Sequence, residues 1–261
     1  APDFRRAVDW QQWLMKTGRG LEVHPCWAAG GATDRAPSLM ASMDSEAFAG
    51  VENYMTELGQ RSLDLAVVLD CTASMGNQLA QAQGGVEDLM QFIDSVVDSF
   101  RIAIVAYRDR KDEFETKAWD FTGDVETART GLWQLTADGG GDARESVYKA
   151  LRQAYTQLSW RPSSTKVLVL IGDAPPHVGQ AQMTIELAER AHVSAQLITH
   201  VIKARGKEVE HFPDIAKAGG GRCVNLEDRD SLVAQIAGLT LGDQYDDEFK
   251  EFFRIYLELC R

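Results

Sequence analysis

The residues best suited to chemistry in this chain are oxygen donors on three loops. Asp70-Cys71-Thr72-Ala73-Ser74 sets an aspartate, a threonine and a serine at alternate positions. Their oxygens can converge in one turn on a hard cation such as Mg2+, Mn2+ or Ca2+. A second aspartate, Asp173, stands in IGDAPPH, and a third, Asp142, follows the glycine run Gly139-Gly140-Gly141. Taken singly, each loop reads as a capped turn, because a lone aspartate before a helix is ordinarily a cap. Their positions relative to the surrounding elements give them a shared meaning.

Leu63 to Leu69 reads LDLAVVL and Val167 to Gly172 reads VLVLIG, short apolar runs expected of parallel strands buried on both faces. One run ends directly before Asp70, the other directly before Asp173. Asp142 precedes helical spacing from Ser146 to Leu158, with the glycines breaking the chain ahead of it. In an open parallel sheet, ligands sit at the carboxyl ends of the strands, where loops from separate strands meet. The three loops are therefore expected at one edge.

The remaining elements complete an alternation of strand and helix. A long amphipathic helix is expected over Asn77 to Phe100, a buried strand over Ile102 to Tyr107 and a short edge strand over Lys117 to Thr122. Helical spacing returns over Val125 to Leu135, Thr184 to His192, Phe212 to Ala218 and Ser231 to Leu239, with strands at Gln196 to Ile202 and Arg222 to Val224. The fold class is α/β, a doubly wound, mainly parallel sheet with helices on both faces. Residues 1–60 read as an extension that packs on the domain of residues 61–241, and residues 242–261 as an amphipathic C-terminal helix, strongest over Asp246 to Cys260. No internal repeat is present.

The ordered set of strand, DxTxS, long helix, glycine loop and later strand ending in aspartate resembles the von Willebrand factor A family. The resemblance covers about Ser62 to Leu241. It extends to DCTASM, VAYRDRKD, DFTGDVETARTGLWQLTADGGGDARESV, IGDAPPH and FPDIAKAGGGRCVNLEDRDSLVAQI, phrases similar to the subgroup of such domains found beside alpha-kinases. It implies a Rossmann-like fold and a metal-ion-dependent adhesion site, in which Mg2+ (or Mn2+ or Ca2+) bridges the domain to another protein. Asp70, Thr72, Ser74 and Asp173 match the family's first and last ligand loops. The family's middle loop supplies a threonine, where this chain offers Asp142, with Thr136 as the alternative ligand. Three ionised aspartates would leave the site net negative around a dication, which suits a neutral ligand from the partner.

Composition narrows the alternatives. The net charge of -12, with no basic block to offset it, argues against nucleic acid as a partner. No apolar run approaches the roughly 20 residues that span a bilayer. An enzyme using the dication to activate water or phosphate is the competing reading, but the sequence has no GxxxxGK[ST], no GxSxG and no HExxH. A third is a scaffold whose metal only staples loops. The four cysteines form no CxxC pair. Cys71 and Cys223 read as buried thiols in strands or strand ends, and a Cys26–Cys260 disulfide is the lesser alternative to free thiols. His177 is a candidate for the site's rim, Asp109 and Asp112 read as a solvated charged loop in preference to a further part of the rim, and His200 as a core or edge histidine. The chain begins Ala1-Pro2-Asp3 without methionine, as a processed or cut chain does, and neither compartment nor oligomeric state is legible.

Overall fold

The computed structural model describes residues 62–97, 99–141 and 143–226. The expected extension over residues 1–60, the helices at Ser231–Leu239 and Asp246–Cys260, the Cys26–Cys260 pair and Asp142 itself fall outside them. The described residues form one six-stranded sheet of β1 (Ser62–Asp70), β2 (Ser99–Tyr107), β3 (Thr116–Thr122), β4 (Thr165–Gly172), β5 (Leu197–Lys203) and β6 (Gly220–Asn225). The strand order is β3-β2-β1-β4-β5-β6. Every pairing is parallel except β2 with β3. The helices are α1 (Gly76–Val96), α2 (Val125–Trp133), α3 (Val147–Gln157), α4 (Ala181–Ala195) and α5 (Phe212–Ala218). This is the doubly wound α/β arrangement expected from the sequence.

Burial explains why β1, β2 and β4 read as continuous apolar runs. On one face Ala66, Val68, Ala103, Val105, Leu168 and Leu170 pack against α3, α4 and α5 through Ala150, Leu151, Ala188, Phe212 and Ile215. The alternate residues Leu65, Val67, Leu69, Ile104, Val169 and Ile171 are also buried, as strand alternation requires when both faces are covered. α1, with Leu79, Val86, Leu89, Met90 and Ile93 buried, packs against α2 and β2. Each large core residue of this kind contributes about 1.5–3 kcal/mol by leaving water.

The junction of the first helix with β2, and the path of β3, differ from expectation for physical reasons. The first helix stops at Val96, because Val97 turns extended at φ -114°, and Phe100 lies buried inside β2. β2 therefore starts early enough for Ser99 to pair with Ser62 and Arg101 to stand beside Asp64. In β3 the pairing runs Ile102 with Thr122 but Ile104 with Trp119, a bulge. The extra residue lets Ala118 and Phe121, three apart, pack on the same face.

Register sets the site. Asp70 pairs with Tyr107 on one side, and Leu69 pairs with Ile171 on the other, so Asp70, Tyr107 and Gly172 end side by side at the carboxyl edge. Gly172 in turn pairs with Lys203. Four loops leave the sheet there within reach of one another.

Candidate metal site at the carboxyl edge

Asp70 is fully buried at the end of β1. Its Oδ1 accepts from the Thr72 backbone N at 2.9 Å and from Thr72 Oγ1 at 2.7 Å. Thr72 Oγ1 lies 3.1 Å from Ser74 Oγ, which donates to Asp173 Oδ1 at 2.8 Å. Each hydroxyl thus directs its one proton to a carboxylate, and the close contact of the two hydroxyl oxygens brings the first and last loops together, across 99 positions of sequence. Asp70 Oδ2 is buried without a hydrogen-bond partner. Burial pushes the Asp70 carboxyl up to about 6; the two bonds from Thr72 and the nearby Asp173 backbone N–H pull it back, and the Asp173 charge adds to the upward push.

Thr72, Ser74 and Asp173 line a cavity of about 380 Å³, together with Gly140, Glu145 and Arg205, and Asp70 lies buried behind Thr72. All the candidate ligands are oxygen, the donor set of Mg2+, Mn2+ and Ca2+ and not of a thiolate-seeking ion. A buried carboxylate oxygen lacking any donor is what a nearby cation would satisfy. Among the described residues no three His, Cys, Asp or Glu side chains gather closely enough to hold a metal alone. The hydroxyls of Thr72 and Ser74 complete this donor set.

The middle loop is shaped by glycine. Gly139 and Gly140 take φ of +75° and +77°, where a side chain is strained. A Cβ on Gly140 would also come within 3.2 Å of Thr72 Cβ and Glu145 Oε1. Ala73 N donates to the Gly139 carbonyl and Asp138 N to the Cys71 carbonyl, which lays this loop along the first. Thr136, the alternative ligand, is engaged elsewhere. Arg108, buried and stacked on Phe114 at 4.5 Å, donates to its hydroxyl at 3.1 Å and to its carbonyl at 3.0 Å.

The reading of Asp109 and Asp112 as a solvated loop is corrected. Asp109 is buried and its Oδ1 lies 2.8 Å from His177 Nε2. Asp112 Oδ2 accepts from the backbone N of Asp109 and of Gly140, at 2.9 and 2.8 Å. The Asp112 carboxylate is drawn inward by loop amides and the Asp109 carboxylate by the His177 ring, and together they tie the loop after β2 to the other two. His177 accordingly braces the rim and does not line the cavity. His200 is buried in β5, where its Nδ1 accepts from Arg222 N at 3.1 Å. Cys71 is buried and Cys223 half-buried, both as free thiols.

Three residues at the site carried no signal in the sequence. Glu145 is buried on the cavity wall, held by its N–H to the Pro175 carbonyl at 3.0 Å. Tyr107 is fully buried with its hydroxyl lacking a partner, and burial followed by the Asp70 and Glu145 charges pushes it well above the usual phenol range. Arg205 pairs with Asp173. The glycine that ends β4 explains how Tyr107 fits: a Cβ on Gly172 would meet Tyr107 Oη at 2.4 Å and Asp70 Oδ2 at 3.2 Å. Gly172→Ala is expected to lower stability by about 1–3 kcal/mol through overpacking and to weaken metal binding. Urea denaturation would show it; an unchanged midpoint would mean that the edge is looser than this contact implies.

A mainly parallel open sheet with oxygen-bearing side chains from several loops at its carboxyl edge defines the class of α/β domain. The family model for the von Willebrand factor type A domain matches residues 64–237, and the chain belongs to that family. Domains of this family generally mediate protein–protein interactions, and often do so with a divalent metal. The chain is 30% identical over 118 residues to an ariadne-like RING finger protein of Acanthamoeba polyphaga mimivirus, covering 45% of the chain and 12% of that protein. It is 27% identical over 125 residues to the alpha-protein kinase vwkA of Dictyostelium discoideum, covering 44% and 19%. The matched segment is thus a small part of each relative. Among solved structures, BatB from Bacteroides thetaiotaomicron shares the fold at a TM-score of 0.54 and 15% identity, over 75% of this chain and all of that one. The pilus adhesin SpaC from Lactobacillus rhamnosus GG does so at 0.54 and 14%, over 74% of this chain and 30% of the adhesin. A von Willebrand factor type A domain from Catenulispora acidiphila does so at 0.53 and 15%, over 73% and 42%. No helix among the described residues is long and apolar enough to cross a membrane.

Proposed function

We propose that this domain binds one dication, Mg2+ or else Mn2+ or Ca2+, through Asp70, Thr72, Ser74, Asp142 and Asp173, and uses it to hold a partner protein. The observation that carries the reading is the convergence of Asp70, Thr72, Ser74 and Asp173, the last three lining an open cavity and the first standing behind them with one buried carboxylate oxygen that accepts no hydrogen bond. The bound ion would supply a Lewis-acidic contact for an oxygen of the partner. Thr72 and Ser74 present their hydroxyls, and the two aspartates hold them in line. Thr136 has its hydroxyl committed to Arg108, which favours Asp142 as the middle-loop donor.

The likeness to a RING finger protein and to an alpha-protein kinase of greater length is consistent with an interaction module of a larger protein. The test is isothermal titration of the chain with MgCl2, then capture of partners on immobilised chain in Mg2+ and in EDTA. The expected outcome is one ion per chain and a partner released by chelator. Recovery of the same proteins in both buffers would leave the domain a binding module without a metal requirement.

A further inference from the structure

We propose that Arg205 sets the affinity of this site for its cation, as a tethered positive charge that competes for Asp173. The inference rests on the metal-binding reading above. Arg205 stands on the loop after β5, which Ala204 pins at its start by donating its N–H to the Gly172 carbonyl at 2.8 Å. That bond hangs the loop directly beside the one bearing Asp173. Arg205 Nε then lies 2.9 Å from Asp173 Oδ2, and its Nη2 donates to the Ser74 carbonyl. Since Ser74 Oγ donates to Asp173 Oδ1, the carboxylate has both oxygens engaged, one by each neighbour. The Asp173 side chain is only 4% exposed, so few waters share it.

A dication drawn to Asp173 and Ser74 meets a guanidinium already on the same two residues. Like charges a few ångströms apart repel, even at a partly wet cavity mouth. The Asp173 pairing must therefore loosen as the ion enters, and what that costs is subtracted from the ion's binding. Arg205 is 39% exposed and lines the cavity, so its long stem has room to swing outward. Other cations of the neighbourhood are committed elsewhere: Lys203 to Glu208 at 2.8 Å and Arg144 to Glu210 at 2.6 Å. Until a cation arrives, Arg205 links the loops after β1, β4 and β5 and offsets one negative charge at the edge.

The experiment compares the full chain with Arg205→Met, Arg205→Lys and, as a control of general charge on the same exposed loop, Lys207→Met. Mg2+ affinity is read by calorimetry and the melting temperature in EDTA. Arg205→Met is expected to bind Mg2+ on the order of tenfold more tightly, the scale of one dication–guanidinium repulsion in a water-exposed mouth. It should also melt lower in EDTA. Arg205→Lys should stay within about threefold of the parent, since it keeps the charge, and Lys207→Met should leave both readouts unchanged. Equal or weaker Mg2+ binding by Arg205→Met, with the parent binding normally, would overturn the competition. Absence of Mg2+ binding in parent and variants alike would overturn the metal reading itself, and this inference with it.

Discussion

Asp70→Ala is expected to abolish Mg2+ binding, weakening it by more than about a hundredfold, beyond the ten- to hundredfold typical of losing an outer-shell partner. The reason is geometric as well as electrostatic. Asp70 Oδ1 accepts both the N–H and the hydroxyl of Thr72, so its loss releases the turn that aims Thr72 and Ser74 into the cavity. Calorimetry checks this, and undiminished Mg2+ and Mn2+ binding would sink the assignment of the site. Asp142→Thr is the complementary variant: by removing one charge it should lower metal affinity while raising affinity for acetate at saturating metal.

Stability should move in the opposite direction to metal binding at this position. Burial raises the Asp70 carboxyl from 3.8 to about 6, so its ionised form is the disfavoured one in the fold. The stability associated with this group is present below pH 3.8 and is lost as pH rises to about 6. With chelator at pH 7, Asp70→Asn is therefore expected to be more stable than the parent by up to about 3 kcal/mol, taking 1.36 kcal/mol for each pKa unit. That gain should vanish near pH 4. A variant less stable than the parent at pH 7 would mean that the Asp70 charge is already compensated by its surroundings. Proton competition also requires the parent's Mg2+ affinity to fall below about pH 6.

The sequence carried the parts of this site that regular structure dictates. β1 and β4 are buried on both faces, so they appear as apolar runs, and a run's end locates the loop that follows it. Asp70, Thr72, Ser74 and Asp173 could be read that way, and the structure brings them together. The residues missed are placed by pairing between distant strands. Arg205 reaches Asp173 because Lys203 pairs with Gly172, a register with no trace in local periodicity. Glu145 reads as one more polar residue before a helix until the Pro175 carbonyl fixes its backbone. Asp109 and Asp112 look like solvated charges because charge alternation cannot tell a carboxylate facing water from one facing a distant histidine or loop amides. The first helix was overextended to Phe100 for a related reason: Phe100 fits both a helical face and the start of β2, and the pairing of β2 with β1 decides.

At the other end of β1, Asp64→Ala is expected to cost about 3 kcal/mol of folding stability while leaving metal affinity within about twofold. Asp64 interrupts the apolar text LDLAVVL and is fully buried. Its oxygens accept from Arg101 Nε and Nη2 at 3.0 and 2.8 Å, from Arg161 N and Nε at 2.8 and 2.9 Å, and from Ser164 Oγ at 2.9 Å. Burial raises this carboxyl, but the bonds from Arg101, Arg161 and Ser164 together outweigh it and hold the group below the usual carboxylate range. One side chain thus ties β1 to β2 and to the segment entering β4. Removing it leaves two guanidinium groups, each about a quarter exposed, facing an apolar gap. Because the folded-state carboxyl is depressed, its contribution is complete above pH 3.8 and is lost as pH falls below that value, so parent and Asp64→Ala should converge in stability toward strongly acidic pH. Six residues of strand, roughly 20 Å, separate Asp64 from Asp70, beyond the range over which substitutions ordinarily couple. Urea denaturation and Mg2+ titration of the same variant read the two ends independently. Loss of metal binding without loss of stability would invert the assignment, making Asp64 part of the site and not the clamp beneath it.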